Sequence, residues 1–298
     1  MSSITSFALL AVLGASSLRG TTAATLQPVV EDSRFEVVGC YDLFSKDSNM
    51  NYLGGMFFSP GGTNLYIVRY AEDVGSYVAK VPVLRDSLSG RITGLGDPPA
   101  ATGVYENVYA RDYLDVGFRE GPGGRLYYST LDFVTQASVT WGGPDGEDAF
   151  ITELYDDSIA VLGSEYAYSV AFNAITGNML VGTEGGTVFE ETAVLDPALD
   201  AYVATTTGTI FMNTTLDYVS DLNFVPSGSL KNSIVTSKYL DNAGDVLLFA
   251  IDSATGDPID DATGLPLKGT ANPRSTTLFS GINQAWGIVF DPVTVRRY

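Results

Sequence analysis

Residues 168–184 read YSVAFNAITGNMLVGTE, and this stretch decides the fold class of the chain. An apolar run that ends at Phe172 is typical of a β-strand, and a second apolar run begins at Met179. Between the two runs, Thr176, Gly177 and Asn178 are residues that tight turns favour. The stretch therefore predicts a β-hairpin.

The same strand–turn–strand unit recurs along the chain, each time around a phenylalanine. The five copies are spaced 52 to 66 residues apart and centre on Phe58, Phe118, Phe172, Phe224 and Phe290. Further runs rich in aromatic and β-branched residues lie between the copies, at 77–83, 149–155, 187–190, 209–212, 245–251 and 275–279. About four strands per repeat at this spacing predict the blades of a β-propeller.

The predicted fold is therefore all-β, a propeller of about five to six four-stranded blades in a single domain over residues 25–298. The blades are expected to start near residues 54, 114, 168, 220 and 286. The fifth motif reaches Tyr298 where the second strand of its blade should begin, so we expect the last blade to be incomplete. Two explanations stay open: a truncated gene product, or a ring of few blades that the N-terminal strand closes.

The repeated pattern apolar-x-Phe-x-Pro-x-Gly-x-Leu-Tyr-Val resembles that of secreted six-bladed propellers, the NHL-repeat, gluconolactonase-like and strictosidine-synthase-like families. The resemblance runs from about residue 35 to the C-terminus. It implies the fold but no particular activity, because propellers host many unrelated functions. Resemblance to the gluconolactonase-like enzymes implies a divalent metal ion held near the central channel by acidic and amide side chains. Their ligand motifs have no residue-by-residue match in this chain.

Composition excludes several classes of function. The 298 residues carry a formal net charge of −19, which repels nucleic-acid phosphates and anionic lipid, so we expect neither as a partner. The sequence contains no histidine, which excludes Ser-His-Asp and Cys-His nucleophiles and imidazole metal sites. Its single cysteine, Cys40, excludes an intramolecular disulfide, and without histidine it cannot build a structural zinc site.

The N-terminal residues 1–24 are typical of a secretory signal peptide, with a short apolar run at 7–15 and small residues before position 25. That run is shorter than the roughly 20 residues that span a bilayer, and no later stretch is long and apolar enough to do so. We therefore expect a secreted, extracellular protein without a membrane span. Residues 35–43 predict a first strand, with Cys40 buried in it as a small apolar side chain.

Candidate metal ligands come from the positions three residues before each key phenylalanine, which are Gly55, Asp115, Ser169, Asp221 and Gly287. Asn223 should share a face with Asp221, because the side chains of a strand alternate between faces. Asp115, Ser169, Asp221 and Asn223 can thus converge at the central channel as oxygen ligands of the kind that Ca²⁺ prefers. The alternative is that these polar side chains only line a water-filled channel.

Two further patterns concern the surface. Asn213-Thr214-Thr215 is a glycosylation sequon, so Asn213 is a candidate acceptor on an exposed loop. The acidic segments 142–148 and 252–261 lack the ligand spacing of an EF-hand and predict solvent-exposed turns.

The sequence contains no complete catalytic set, and no residue is predicted to bind an organic cofactor. The favoured hypothesis is a secreted β-propeller that binds a protein, a glycan or a small molecule at the face of the channel, without catalysis. The alternative is a divalent-metal-dependent hydrolase of the lactonase type, with Asp115, Asp221 and Asn223 among the ligands of a Ca²⁺ ion.

Overall fold

A computed structural model of the chain describes residues 9–11, 29–32, 39–50, 52–71, 75–111, 118–130, 133–155, 166–198, 201–204, 208–226, 228–238, 244–282 and 286–295. These residues are almost entirely β-structure, with one four-residue helix and short 3₁₀ turns at Pro122–Gly124 and Gly228–Leu230. All six apolar runs that lie between the phenylalanine motifs fall on or overlap strands. The all-β fold class is confirmed.

Twenty-two strands lie within the described ranges. In chain order they are β1 (Leu9–Ala11), β2 (Val29–Val30), β3 (Tyr52–Phe58), β4 (Asn64–Ala71), β5 (Gly75–Arg85), β6 (Ile92–Leu95), β7 (Glu106–Arg111), β8 (Phe118–Glu120), β9 (Arg125–Thr130), β10 (Phe133–Gly142), β11 (Asp148–Tyr155), β12 (Ala167–Phe172), β13 (Met179–Thr183), β14 (Thr187–Glu191), β15 (Ala193–Asp196), β16 (Ala201–Ala204), β17 (Thr209–Asn213), β18 (Asp221–Phe224), β19 (Ile234–Ser237), β20 (Gly244–Phe249), β21 (Ser275–Ile282) and β22 (Ile288–Phe290), and the helix α1 (Pro292–Val295) follows.

Four sheets of antiparallel strands form the blades. Blade 1 consists of β3, β4 and β5, with both β6 and β7 paired to β5, and blade 2 consists of β8 to β11. Blade 3 consists of β12, β13, β14 and β17, and a separate ribbon of β15 and β16 is inserted before its last strand. Blade 4 consists of β18 to β21, with β2 added at its outer edge. Each blade begins with an inner strand that holds one of the first four motif phenylalanines.

The inner strands stand side by side around a common axis. β3 contacts β8, β8 contacts β12 and β12 contacts β18, while β22 lies between β18 and β3 and closes the ring. The fold is therefore a β-propeller. The described residues form four full blades, and the total of five to six stays a prediction. Within the described residues, the fifth motif supplies β22, which pairs with the three residues of β1, and the chain leaves β22 through α1.

A separate apolar core fills the gap between each pair of neighbouring inner strands. Between blades 1 and 2, for example, Phe57 packs in the same cluster as Tyr128. On β22, Ile288 packs into the core of blade 4 and Val289 into that of blade 1. Because each large apolar side chain that is buried contributes about 1.5–3 kcal/mol, these interblade cores hold the ring together.

The segment 250–274 between β20 and β21 crosses from blade 4 to blade 3. Asn173 Nδ2 donates a hydrogen bond of 2.9 Å to the Gly256 carbonyl, and Lys268 forms an ion pair of 2.5 Å with Glu190. Asp260 is 7% exposed and accepts hydrogen bonds from Thr263 and Thr270. The predicted solvent-exposed turn at 252–261 is therefore wrong for Asp260, because the crossing segment folds over this carboxylate.

The N-terminal region differs from its prediction. Of the predicted strand 35–43, residues 35–38 lie outside the described residues and 39–43 form no strand. Cys40 is exposed rather than buried, because the described residues 39–43 form no strand that would hold it in a sheet. β1, which lies inside the predicted signal peptide, pairs antiparallel with β22. Within the described ranges, no helix has the length and apolarity needed to cross a membrane.

Candidate functional site

A buried ion pair occupies the axis of the propeller. Arg119 on β8 and Asp221 on β18 face each other across the ring, with 7% and 0% of their surfaces exposed. The Arg119 Nε donates to the Leu222 carbonyl at 3.2 Å, and Nη1 donates to the Met56 carbonyl at 3.3 Å. Asp221 Oδ2 accepts a hydrogen bond of 2.5 Å from the Ile288 backbone N–H. The pair thus links blades 1, 2 and 4 with β22.

The predicted metal ligands have different surroundings. Asp221 is engaged by Arg119, and Asp115 lies outside the described residues. Ser169 is buried and donates a hydrogen bond of 2.8 Å to the Val219 carbonyl. Asn223 Nδ2 donates to the Ile288 carbonyl at 3.4 Å, so Asp221 and Asn223 share a face as expected. In the described part of the chain, no three acidic or cysteine side chains are grouped so that they could hold a metal ion.

A cavity of about 420 Å³ opens at the ends of the inner strands, beyond the ion pair. Residues at the ends of β3, β8, β18 and β22 form its walls. The apolar part of the wall consists of Phe57, Phe58, Pro60, Phe224, Pro226, Val289, Phe290 and Pro292, and the polar part consists of Ser59, Arg119, Glu120 and Asn223. A volume of this size is typical of a small-molecule site, for which roughly 300–1,000 Å³ is usual.

The polar wall of this cavity presents acceptors rather than donors. Three nitrogen atoms of Arg119 already donate within the protein, and the Ser59 hydroxyl donates to Glu147. Among the described residues, neither the Glu120 carboxylate nor Asn223 Oδ1 takes part in a hydrogen bond. The cavity therefore combines apolar walls with two acceptors that are open to a ligand.

Charge at the cavity comes mainly from Glu120. The guanidinium of Arg119 is neutralised by Asp221, and that of Arg85 by the buried carboxylate of Asp291. Desolvation by the surrounding protein raises the pKa of Glu120 above its ordinary value. The side chain of Glu120 is nonetheless exposed, so its carboxylate is open to a cationic partner at the cavity.

A second carboxylate, Glu147, joins blade 2 to blade 1 near the cavity rim. Besides the Ser59 hydroxyl, the Gly61 N–H at 2.7 Å and the Thr63 hydroxyl at 2.9 Å donate to it. Burial acts to raise the pKa of Glu147, but these hydrogen bonds outweigh burial and lower it. All of its strong donors come from the turn between β3 and β4, so Glu147 connects two blades and offers little to a ligand.

The glycosylation candidate Asn213 lies at the end of β17 in blade 3, not on a loop. Its side-chain oxygen accepts a hydrogen bond of 3.2 Å from Thr187, and its side chain is half-buried. The next sequon residue, Thr214, is buried and donates to the Gly186 carbonyl. Glycosylation of Asn213 stays a prediction, and it would require this strand end to open.

Comparison with known proteins adds distant structural likenesses. No protein family and no curated protein matches the sequence. A solved structure from Bacteroides fragilis, provisionally described as a 6-phosphogluconolactonase, is similar with a TM-score of 0.36 at 17% identity over 74% of this chain. The structure of the Dos1 propeller is similar with a TM-score of 0.31 at 13% identity over 69% of this chain. The chain spans 57% and 45% of those two chains.

The sequence indicated part of this site and missed the rest. Alignment on the phenylalanines identified Asn223, which lines the cavity, but it directed attention to positions before each phenylalanine. The cavity lies at the other end of the inner strands, around and after Phe58, Phe224 and Phe290. Glu120 follows Phe118 by two residues in the second motif, so a search beyond each phenylalanine would have found it.

Proposed function

We propose that this protein is a binding β-propeller, secreted and without catalytic activity, that takes a ligand group into the axial cavity. The observation that carries this proposal is the combination of apolar walls with the open acceptors of Glu120 and Asn223. Binding sites of this kind use apolar area for affinity and a few placed polar groups for orientation. The partner that carries the ligand group can be a protein, a glycan or a small molecule.

The residues around the axis support binding better than metal-dependent hydrolysis. Asp221, one of the predicted ligands, is buried against Arg119. A metal ion at Asp221 would have to displace an ion pair and leave the guanidinium buried without its partner, which is costly. A lactonase mechanism therefore has less support than a binding role.

The test is a fragment screen by ligand-observed NMR on the wild type and on a variant with a filled cavity mouth. Pro226 is exposed at the cavity, so Pro226→Trp should fill the mouth without disturbing the core. Leu88→Trp adds the same ring at an exposed position on blade 1 and is the control. We expect fragments to bind the wild type and Leu88→Trp, and to bind Pro226→Trp about tenfold more weakly or not at all.

Equal binding to all three proteins, or no binding to any, would contradict the proposal. Ca²⁺-dependent hydrolysis of a lactone that is lost in Asn223→Ala would replace it with the enzymatic alternative.

A further inference from the structure

We infer that the axial cavity is specific for an alkylammonium group, a positively charged amine at the end of an apolar stem. This inference rests on the proposed binding function and names the chemical class of its ligand. The same chemistry is available from a free amine and from a lysine side chain of a protein partner.

The free hydrogen-bonding groups of the cavity call for a donor. Within the part of the chain that the structure describes, the Glu120 carboxylate and Asn223 Oδ1 make no hydrogen bond, whereas the Arg119 nitrogens and the Ser59 hydroxyl already donate. Glu120 is exposed and Asn223 is half-buried, so both oxygens are accessible from the cavity. A ligand that brings N–H groups can pair with them, and hydrogen bonds that involve a charged group are the stronger ones. An ammonium brings three N–H groups and no acceptor.

The charges select a cation among the possible donors. Arg119 and Asp221 neutralise each other, and so do Arg85 and Asp291, which leaves Glu120 as the uncompensated charge on the wall. Glu147, at the rim, already accepts hydrogen bonds from the turn between β3 and β4. The net charge of −19 adds attraction at long range, which raises the rate at which a cation arrives.

The apolar walls accommodate the stem. Phe58, Phe224 and Phe290 line the cavity together with Pro226 and Pro292. Aromatic faces attract ammonium groups, and an alkyl chain gains free energy with each CH₂ group that it buries. A bare metal ion would use the acceptors but not these walls, so the walls distinguish an organic cation from Ca²⁺.

The experiment compares n-butylammonium with n-butanol, its neutral analogue of similar shape, by isothermal titration calorimetry at low ionic strength. We expect n-butylammonium to bind the wild type about tenfold more tightly than n-butanol, because hydrogen bonds to a charged group are the stronger ones. In Glu120→Gln this preference should disappear while the binding of n-butanol is retained. Glu106→Gln removes the same charge from the exposed outer strand β7 of blade 1 and should keep the preference.

Two further measurements identify the source of the amine and test whether Glu120→Gln is as stable as the wild type. A short peptide with a free lysine should bind more tightly than its Nε-acetylated form, whereas equal binding of the two peptides would point to a free amine as the natural ligand. Thermal denaturation should show that Glu120→Gln is as stable as the wild type, since Glu120 is exposed and substitutions at exposed positions without side-chain hydrogen bonds or ion pairs change stability little.

Equal affinity for n-butylammonium and n-butanol would overturn the inference but leave the binding function standing. A preference for n-butylammonium that survives in Glu120→Gln would overturn it in the same way. Displacement of n-butylammonium by millimolar Ca²⁺, which would show that the cavity binds the metal ion more tightly than the amine, would also overturn it. Failure of every fragment and of both n-butyl compounds to bind would instead remove the proposed function itself.

Discussion

Arg119 and Asp221 form the best-buried ion pair among the described residues. Their contacts reach three blades and β22, so the pair fixes how the inner strands sit around the axis. A buried charge that loses its partner cannot recover its lost hydration, and such losses cost roughly 3–5 kcal/mol. Removing both charges together avoids that cost.

The Arg119→Met variant should therefore lose about 3–5 kcal/mol of unfolding free energy, because the Asp221 carboxylate stays buried alone. The double variant Arg119→Met/Asp221→Leu should recover most of that loss. Urea denaturation of the wild type, both single variants and the double variant completes a double-mutant cycle. Single variants within about 1 kcal/mol of the wild type would contradict the assigned role of the pair.

Glu147 gives a pH dependence of known sign. Its folded pKa lies below the ordinary 4.5, so its stabilising contribution is present above pH 4.5 and is lost as the pH falls through the folded pKa. Glu147→Gln should be less stable at pH 7 and should lose less stability between neutral and acidic pH. Melting temperatures over this range measure the effect. The control is Asp145→Asn, which removes an exposed carboxylate from the turn between β10 and β11 that also holds Glu147, and its melting temperature should change with pH as that of the wild type does.

At the scale of the residue, the sequence predicts on which face of a strand a side chain lies better than it predicts which residue that side chain contacts. Alignment on Phe224 places Asp221 and Asn223 on one face of an inner strand, and both do contact Ile288. Arg119 is 102 residues from Asp221 in the sequence, and their contact depends on how the ring closes. The alternation of side chains along a strand does not show which strands face each other when the ring closes. The sequence therefore predicted Asp221 as a metal ligand and did not predict its ion pair with Arg119.

Two glycines in the hairpin turns of blade 3 have the same backbone angle but different surroundings. Gly177 and Gly186 both have φ of +76°, a conformation that residues with a side chain adopt at a cost of about 1–2 kcal/mol. A Cβ added at Gly177 meets nothing within 4 Å, whereas one at Gly186 would overlap the Leu216 carbonyl oxygen. A substitution at Gly177 therefore measures backbone strain alone, whereas one at Gly186 measures backbone strain together with steric overlap.

We expect Gly177→Ala to destabilise the fold by about 1–2 kcal/mol and Gly186→Ala by a further 1–3 kcal/mol or so. The additional loss arises because Thr214 holds the Gly186 carbonyl through two hydrogen bonds and the chain there cannot move aside. Chemical denaturation of both variants measures the difference. Equal losses would show that the turn at Gly186 relaxes freely.

At the scale of the element, local pattern predicted the strands well. The hairpin of β12 and β13 forms where residues 168–184 indicated it, because the apolar runs and the turn glycine specify it locally. Two-residue β2 at the edge of blade 4 and the ribbon of β15 and β16 were not predicted. Neither has a long apolar run of its own, and β2 is a strand only through its partner β21.

On the scale of the whole molecule, one ion pair secures the place where the ring closes. Asp291 follows β22, is fully buried, and accepts two hydrogen bonds of 2.7 and 2.8 Å from Arg85 of blade 1. The same guanidinium also donates to the Gly62 carbonyl. The contact thus ties the last inner strand to the first blade.

Asp291→Asn should cost about 3–5 kcal/mol, because it removes the charge that compensates Arg85. Asp261→Asn is the matched control, since the Asp261–Arg274 pair is exposed at both ends and such pairs contribute 0–1 kcal/mol or so. Denaturation with urea and limited proteolysis both measure the outcome. Losses of similar size in the two variants would mean that the ring does not depend on this contact.

The sequence predicted the inner strands of the propeller more directly than the number of its blades. Five phenylalanine motifs predicted five or six blades with the last one incomplete, and the described residues form four full blades and, at Phe290, a strand with one short partner. Each motif predicts an inner strand, but the other strands of a blade come from the residues that follow the motif. Counting motifs therefore counts inner strands and not complete blades.

The crossing segment 250–274 has a mechanical consequence. It fastens blade 4 to blade 3 through the Asn173–Gly256 and Glu190–Lys268 contacts, so the seam between these two blades is braced from outside as well as by its core. β12 of blade 3 contributes nothing to the wall of the axial cavity. Any widening of the cavity to admit a bulky guest would therefore separate strands among β3, β8, β18 and β22, whose ends form its wall.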